Sequence, residues 1–336
     1  MDFTLPERQQ AVAALAAEVL AAGDPWKELA RAGLLDVSPP DGLGVLDVAV
    51  LLTETGRRAP SRKALATLMT GALPLARWGH LDLLAGVSSG ELLLTAALRE
   101  PSHPAPLPPA TAVTNGRITG LKIGVPYAEQ SQLLLVPASF MIAGSSGQIA
   151  PETARDHGVA LVDPRAEGVT LTRTPSSSGE PEYALRMDAA PVEAVLGGAE
   201  CVRDLYQLAV AGACALADGA VAGALALTRD HVARREQFGR PLAAFQAVSQ
   251  QIADVYIASG TMHLATLSAC WRLSTGLDAA ADLGVAGYWC AEQAPGSVRI
   301  CHHLHGGLGM DVTYPLHRFS SLVTDLVRFL GGAHVH

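Results

Sequence analysis

The chain has 336 residues, 49% of them hydrophobic and 17% charged, with a formal net charge of −8. That is ample apolar material for a large core divided among two or three structural units. No block of Lys or Arg resembles an electrostatic footprint, which argues against nucleic acid or an anionic membrane surface as a partner.

Residues 1 to 89 read as helices joined by short breaks. Val12, Leu15, Val19 and Leu20 keep near-helical spacing. Asp24-Pro25 fits a helix start with Pro at the first helical position. Ser38-Pro39-Pro40-Asp41-Gly42 is a turn, and helices are expected over Val45–Arg57 and Ala64–Leu73. From residue 90 to 190 the texture is that of a β unit. Leu92–Ala97 is a short apolar run, and a proline-rich loop covers Pro101 to Pro109. Asn115-Gly116 is a hairpin signal between Thr111–Val113 and Ile118–Leu121. Leu133–Val136 and Val159–Val162 are further strand candidates, and Thr174–Gly179 is a polar loop. Residues 191 to 336 are helical again. Ala209, Ala213, Ala217, Ala220 and Ala224 form a small-residue ridge that admits close helix packing. The expected fold is α+β, in the order helices, sheet, helices.

No apolar run reaches about 18 uninterrupted residues, so no membrane span is expected. Met1 to Pro6 lacks the basic-then-apolar pattern of a signal peptide. Cys201, Cys214, Cys270, Cys290 and Cys301 are far apart and odd in number, which fits a reduced, cytoplasmic protein better than a disulfide framework or structural zinc.

Two segments carry the chemistry. The first is Arg235-Glu236-Gln237-Phe238-Gly239-Arg240-Pro241, followed by Phe245-Gln246. Arg235 can pair with a phosphate through its planar fork, Phe238 can cover an aromatic ring, and Gln246 can hydrogen-bond a ribose or phosphate. The competing reading is a polar turn with Phe238 and Phe245 as core anchors. The second segment is His302-His303-Leu304-His305-Gly306-Gly307-Leu308-Gly309-Met310, with Tyr314-Pro315 beyond it. His302 and His305 share a helical face, but no nearby carboxylate supplies a third ligand, so no metal is expected. The glycine spacing is wrong for a dinucleotide fingerprint. What remains is a helix end whose glycines admit a cofactor closely, or an ordinary glycine cap with surface histidines.

Together the two segments resemble the C-terminal helical domain of acyl-CoA dehydrogenases. That family carries an Arg-x-x-Phe-Gly turn, a Gln eleven residues beyond the Arg, and a Gly-Gly helix end before a Tyr-Pro-like segment; here these are Arg235–Gly239, Gln246, and His305-Gly306-Gly307 with Tyr314-Pro315. The resemblance implies an N-terminal helical domain, a middle β domain and a C-terminal four-helix domain, here truncated. It implies FAD shared across a subunit interface, with the trans half supplied by Arg235, Gln237, Phe238, Phe245, Gln246, His303, Leu304, His305, Gly306 and Gly307. The parts a subunit uses for its own flavin ring are lost. The family's Thr-Glu-Pro-Gly-x-Gly-Ser loop appears as Arg99-Glu100-Pro101-Ser102-His103-Pro104, and its Trp-Ile-Thr stretch as Gly124-Val125-Pro126. The two places where the family puts its catalytic glutamate hold Leu330 and Ala209.

The resemblance extends to the base-less subunits of heterotetrameric acyl-CoA dehydrogenases in actinobacterial steroid side-chain degradation. It is nearest to the short subunit acting on a 3-oxo-pregnene-20-carboxyl-CoA. It implies a catalytic acyl-CoA dehydrogenase-like partner that supplies the glutamate, a steroid acyl-CoA substrate, and electron-transfer flavoprotein as acceptor. The alanine ridge and the C-terminal helices are expected in the tetramer core. Two alternatives stand beside it: a flavin-free scaffold or binding subunit, and a homomeric dehydrogenase with an atypical base such as Glu200 or Asp218. Either carboxylate reads more simply as a solvated or interface charge.

Overall fold

A computed structural model describes residues 4–21, 25–58, 61–101, 103–140 and 156–332. Along the chain the order is helical, strand-rich, helical, as the resemblance implies. By packing, Met1–Ala32, Val45–Arg62 and Val210–His336 make one compact unit, and Gly33–Gly44 with Lys63–Ala209 make the other.

The helical unit contains α1 (Glu7–Val19), α2 (Pro25–Arg31), α3 (Val45–Arg58), the greater part of α6 (Ala199–Arg234), α7 (Gln246–Ser274), α8 (Ala280–His305) and α9 (Leu316–Leu330). Asp24 of the expected α2 start lies outside the described residues. Helices α3 and α6 meet at glycines. A Cβ on Gly56 would lie 2.2 Å from the Leu216 carbonyl oxygen, and one on Gly219 would lie 1.9 Å from that of Thr53. Only glycine permits this backbone approach. The alanine ridge follows the same logic. Ala213, Ala217, Ala220 and Ala224 are all buried within this chain, so the ridge serves the chain's own core and is not left over for a tetramer core. Helix α6 has the length and apolarity of a membrane span, with a mean hydropathy of 1.8 over its most apolar window, but 83% of that window is buried within the chain. Its apolarity is that of a core helix. Helix α9 buries Leu316, Phe319, Leu322, Val323, Leu326 and Leu330 along one stripe.

The second unit is built on an eight-stranded sheet, ordered β6-β7-β3-β2-β4-β5-β8, with β1 pairing β4 off this path. Its strands are β1 (Leu94–Ala96), β2 (Ala112–Thr114), β3 (Arg117–Pro126), β4 (Leu133–Phe140), β5 (Asp156–Val162), β6 (Val169–Thr174), β7 (Glu182–Pro191) and β8 (Ala194–Gly197). Asn115 (φ 52°) and Gly116 (φ 73°) form the two-residue turn between β2 and β3. Both need positive φ, which is why the Asn-Gly dipeptide announces the hairpin. Ile118, Leu134, Val136, Ala160 and Leu185 sit in the centre of the sheet's core. The expected helix at Ala64–Leu73 is π-helical over Leu65–Ala72 before α4 (Leu73–Arg77), and α5 (Leu84–Ser88) follows. All eight π-helical residues are buried, so apolar periodicity held no information about the winding.

Candidate cofactor-binding face

The first segment begins where α6 ends. The Arg235 N–H donates to the His231 carbonyl at 2.8 Å, and the Leu242 N–H donates back to the Arg235 carbonyl at 2.8 Å. Between them β9 (Glu236–Gln237) pairs with β10 (Arg240–Pro241). Phe238 (φ 54°) and Gly239 (φ 77°) make the two-residue turn. Glycine adopts positive φ freely, whereas a bulky residue there is strained. Phe238 is nevertheless 92% exposed at the tip. The alternative of Phe238 as a core anchor is therefore wrong: its ring meets that of Phe245 edge-on, at a centroid distance of 6.2 Å. The Arg240 guanidinium lies 4.1 Å above the other ring, that of Phe245, a cation–π contact that stiffens the hairpin's base. Arg235, Gln237 and Gln246 are all exposed. An arginine fork, an unpacked aromatic ring and an amide thus stand on one surface feature, without an intrachain packing reason for the aromatic.

The second segment is the end of α8. Gly306 has φ 57° and opens a 3-10 turn over Gly306–Met310. A Cβ at Gly306 or Gly307 would meet nothing within 4 Å, so the backbone there is open. His303 is exposed, while Leu304 and His305 are buried. His305 Nδ1 lies 2.8 Å from the Cys301 carbonyl and Nε2 lies 3.1 Å from the Tyr314 hydroxyl. A carbonyl can only accept, so Nδ1 carries the proton and Tyr314 donates to Nε2. His302 spans Gly309 O and Ser320 Oγ, each at 2.9 Å. The ring nitrogens of both histidines are thus occupied by the protein. Burial holds the His305 pKa down, and the nearby His231 and His302 add to this against the Cys301 hydrogen bond.

His231 was not singled out from the sequence. It lies one helical turn before Arg235, and its ring stacks on His305 at 4.4 Å and 20°. The helical i, i+4 spacing was the available signal for a link to Arg235. Nothing in the sequence pointed to the stack with a residue 74 positions away.

The remaining positions concern the base and the flavin ring. Ala209 and Leu330 are buried and aliphatic, so neither can accept a proton. Glu200 is exposed in the first turn of α6. Asp218 differs from the expectation of a solvated or interface charge: it is 2% exposed, and its carboxylate lies 2.8 Å from His263 Nδ1. That hydrogen bond raises the His263 pKa against the effect of burial.

In the sheet unit, Gly124 has φ 65°, and a Cβ there would lie 3.1 Å from Arg99 Nη1 and 3.6 Å from Glu182 Oε1. The space beside the strand is therefore filled by the arginine. Glu100 is buried with Lys122, whose Nζ donates to its carboxylate at 2.8 Å. The Ala110 and Thr111 N–H groups and the Thr111 hydroxyl donate to the same carboxylate. Burial would raise the Glu100 pKa, but the Lys122 ammonium and these donors outweigh it and hold it down. Ser102, the next residue but one, lies outside the described residues.

Residues 205–333 match the family described as "Acyl-CoA dehydrogenase, C-terminal domain". The chain is 46% identical to "Acyl-CoA dehydrogenase FadE28" of Mycobacterium tuberculosis over 343 residues, covering 99% of this chain and 96% of the relative. The chain belongs to the acyl-CoA dehydrogenase family. Among solved members, the ChsE4-ChsE5 complex from Mycobacterium tuberculosis matches with a TM-score of 0.86 at 29% identity, covering 99% of this chain and 96% of that one. A variant of the Tcur3481-Tcur3483 steroid ACAD matches with a TM-score of 0.85 at 31% identity, covering 98% and 95%.

The family's cofactor can be tested against these two surfaces. The exposed Arg235, Phe238 and Gln246 and the open backbone at Gly306 and Gly307 have the chemistry to hold the phosphates and adenine of a flavin dinucleotide. The surroundings of Gly124 do not fit a flavin ring: Arg99 fills the space where a flat aromatic system would need open apolar surface.

Proposed function

We propose that this acyl-CoA dehydrogenase-family chain is the base-less subunit of a heterotetramer with two copies of each of two chains. The complex would α,β-dehydrogenate a steroid side-chain CoA thioester. The asymmetry between the two flavin surfaces carries the reading: Phe238, 92% exposed beside Arg235, is presented outward, while Arg99 closes the space at Gly124.

The likeness to two-component complexes and to a steroid ACAD supports the assembly and the substrate class. Bound FAD would act as the hydride acceptor. In this chain Arg235 would neutralise a phosphate, Phe238 would cover the adenine, Gln246 would hydrogen-bond the ribose or phosphate, and Gln237, Phe245 and His303–Gly307 would shape the same face. Arg240 would brace Phe245 from above. The substrate's α-proton would go to a partner glutamate, since Leu330 and Ala209 offer no basic atom. Electrons would pass to electron-transfer flavoprotein, and the five free cysteines, all buried, suit the cytoplasm.

Flavin absorbance per mass of the co-purified complex tests the proposal. Two FAD per tetramer is the expected result. One FAD per chain, or a stable flavin-loaded homomer of this chain, would overturn it.

A further inference from the structure

We propose that His231 is a positioning residue for the cofactor-binding face: its ring, stacked on His305, holds the Arg235 hairpin in register with the Gly306-Gly307 helix end. This rests on the assignment of that face to FAD.

The geometry is specific. The two segments are 71 positions apart, from Arg235 to Gly306. His231 and His305 each sit immediately behind one of them. The Arg235 N–H donates to the His231 carbonyl at 2.8 Å, so the histidine's backbone and the start of the hairpin are one rigid turn. His305 directly precedes Gly306 and is fixed at both nitrogens, by Cys301 O and Tyr314 OH. With His305 immobilised, a ring lying on it at 4.4 Å and 20° inherits its position. Tyr314 closes the far side, its ring 5.2 Å from that of His305.

The stack holds best when both imidazoles are neutral. In its neutral form His305 donates from Nδ1 to the Cys301 carbonyl and accepts at Nε2 from the Tyr314 hydroxyl. The charged and titratable groups around the pair are Asp230 on α6, Arg235 just past its end, His302 on α8, and Tyr314 before α9. Burial lowers the His231 pKa, and the Arg235 charge lowers it further. Both histidines therefore sit below the ordinary value of about 6.5. The stacked arrangement is fully present above that value. As the pH falls through it, an opened arrangement takes up protons first and the stack is lost. Arg235 and Arg240 already make this face positive, so protonating the histidines behind it adds repulsion.

The test uses the co-purified two-subunit complex and reads FAD retention by flavin fluorescence between pH 5.5 and 8. The complexes compared are wild type, His231→Phe, His231→Ala and Arg235→Ala. Wild type is expected to release FAD as the pH drops below about 6.5. His231→Phe keeps a flat ring that cannot titrate, so it is expected to retain FAD with a flattened pH profile. His231→Ala is expected to bind about three- to tenfold more weakly at every pH, the scale of one lost ring pair. An alanine complex that retains FAD like wild type would overturn the proposal. So would a phenylalanine complex with an unchanged pH profile. If His231→Ala fails to assemble, the phenylalanine profile alone decides. Loss of FAD from Arg235→Ala with no effect of His231 leaves the cofactor assignment standing and removes His231 from it. A wild-type complex without FAD refutes both.

Discussion

Replacing Lys122 by Met should be among the most damaging single changes in the sheet unit. Lys122 Nζ lies 2.8 Å from Glu100 Oε1, and the two side chains are 0% and 2% exposed. At an effective dielectric of about 20, charges that close attract by roughly 6 kcal/mol. Desolvation offsets much of this, so the intact pair adds little net stability. Removing the ammonium alone is different, because the carboxylate stays behind in the core. Breaking such a pair costs about 3–5 kcal/mol. Glu100 would keep three donors, from Ala110 and Thr111, which places the expectation near the lower end.

With a urea slope of about 2–3 kcal/mol/M for a unit of this size, the midpoint should fall by about 1–1.5 M at unchanged slope. Urea unfolding followed by tryptophan fluorescence reads this directly. The double variant Glu100→Gln, Lys122→Met should recover most of the loss, because no charge is then stranded. The pH dependence has a definite sign. Glu100 has a depressed pKa in the fold, so its contribution is present above the ordinary carboxylate value and is lost as the pH falls through the folded one. In Lys122→Met burial is opposed only by the Ala110 and Thr111 donors, without the ammonium, and the acid limb should move to higher pH. A midpoint shift below about 0.3 M for Lys122→Met would refute the reasoning, since it would mean water reaches the carboxylate.

Arg235→Ala should leave the complex assembled but weaken FAD binding about ten- to a hundredfold, the scale of a charge-assisted hydrogen bond; gel filtration with flavin absorbance measures it. Gly219→Ala should destabilise the helical unit severely, because its Cβ would lie 1.9 Å from the Thr53 oxygen. Gly260→Ala meets nothing within 4 Å and should raise the helix propensity of α7 by about 1 kcal/mol; thermal melts of the two variants should move in opposite directions. Asp218→Asn should lower the raised His263 pKa, seen by NMR titration of its ring. Because the folded value is raised, that pair's contribution is full below about 6.5 and lost as the pH rises through the folded value, so the variant should show a flatter alkaline limb. Within the complex, Asp218→Asn and Glu200→Gln should leave turnover within a few-fold of wild type in a dye-reduction assay. Loss of turnover with assembly and FAD intact would place a base in this chain.

The sequence by itself determined whatever is written in local rules. Asn115-Gly116 needs positive φ at both positions, and the hairpin follows. The long proline-free run of small apolar residues around Ala213–Ala224 could only be a helix. The order of the Arg-x-x-Phe-Gly turn, the Gln and the Gly-Gly helix end was legible as a family pattern, and with it the fold and the candidate face. Strands β6, β7 and β8 were not: β6 and β8 lie at the sheet edges, Val169–Thr174 is threonine-rich with no buried residue, and β7 carries Arg186 and Asp188 within it. The π winding of Leu65–Ala72 was equally invisible, since every residue there is apolar or small and all are buried.

Tertiary structure alone decided the pairings. It placed Lys122 against Glu100, His263 on Asp218 and His231 on His305, each joining residues at least 22 positions apart. It also decided that Phe238 faces outward and that the alanine ridge faces inward. The physical reason is common to both. An aromatic ring, an alanine stripe or a buried charge has the same local propensity whether it meets its own chain, another chain or a cofactor, and only packing in three dimensions settles which surface it covers.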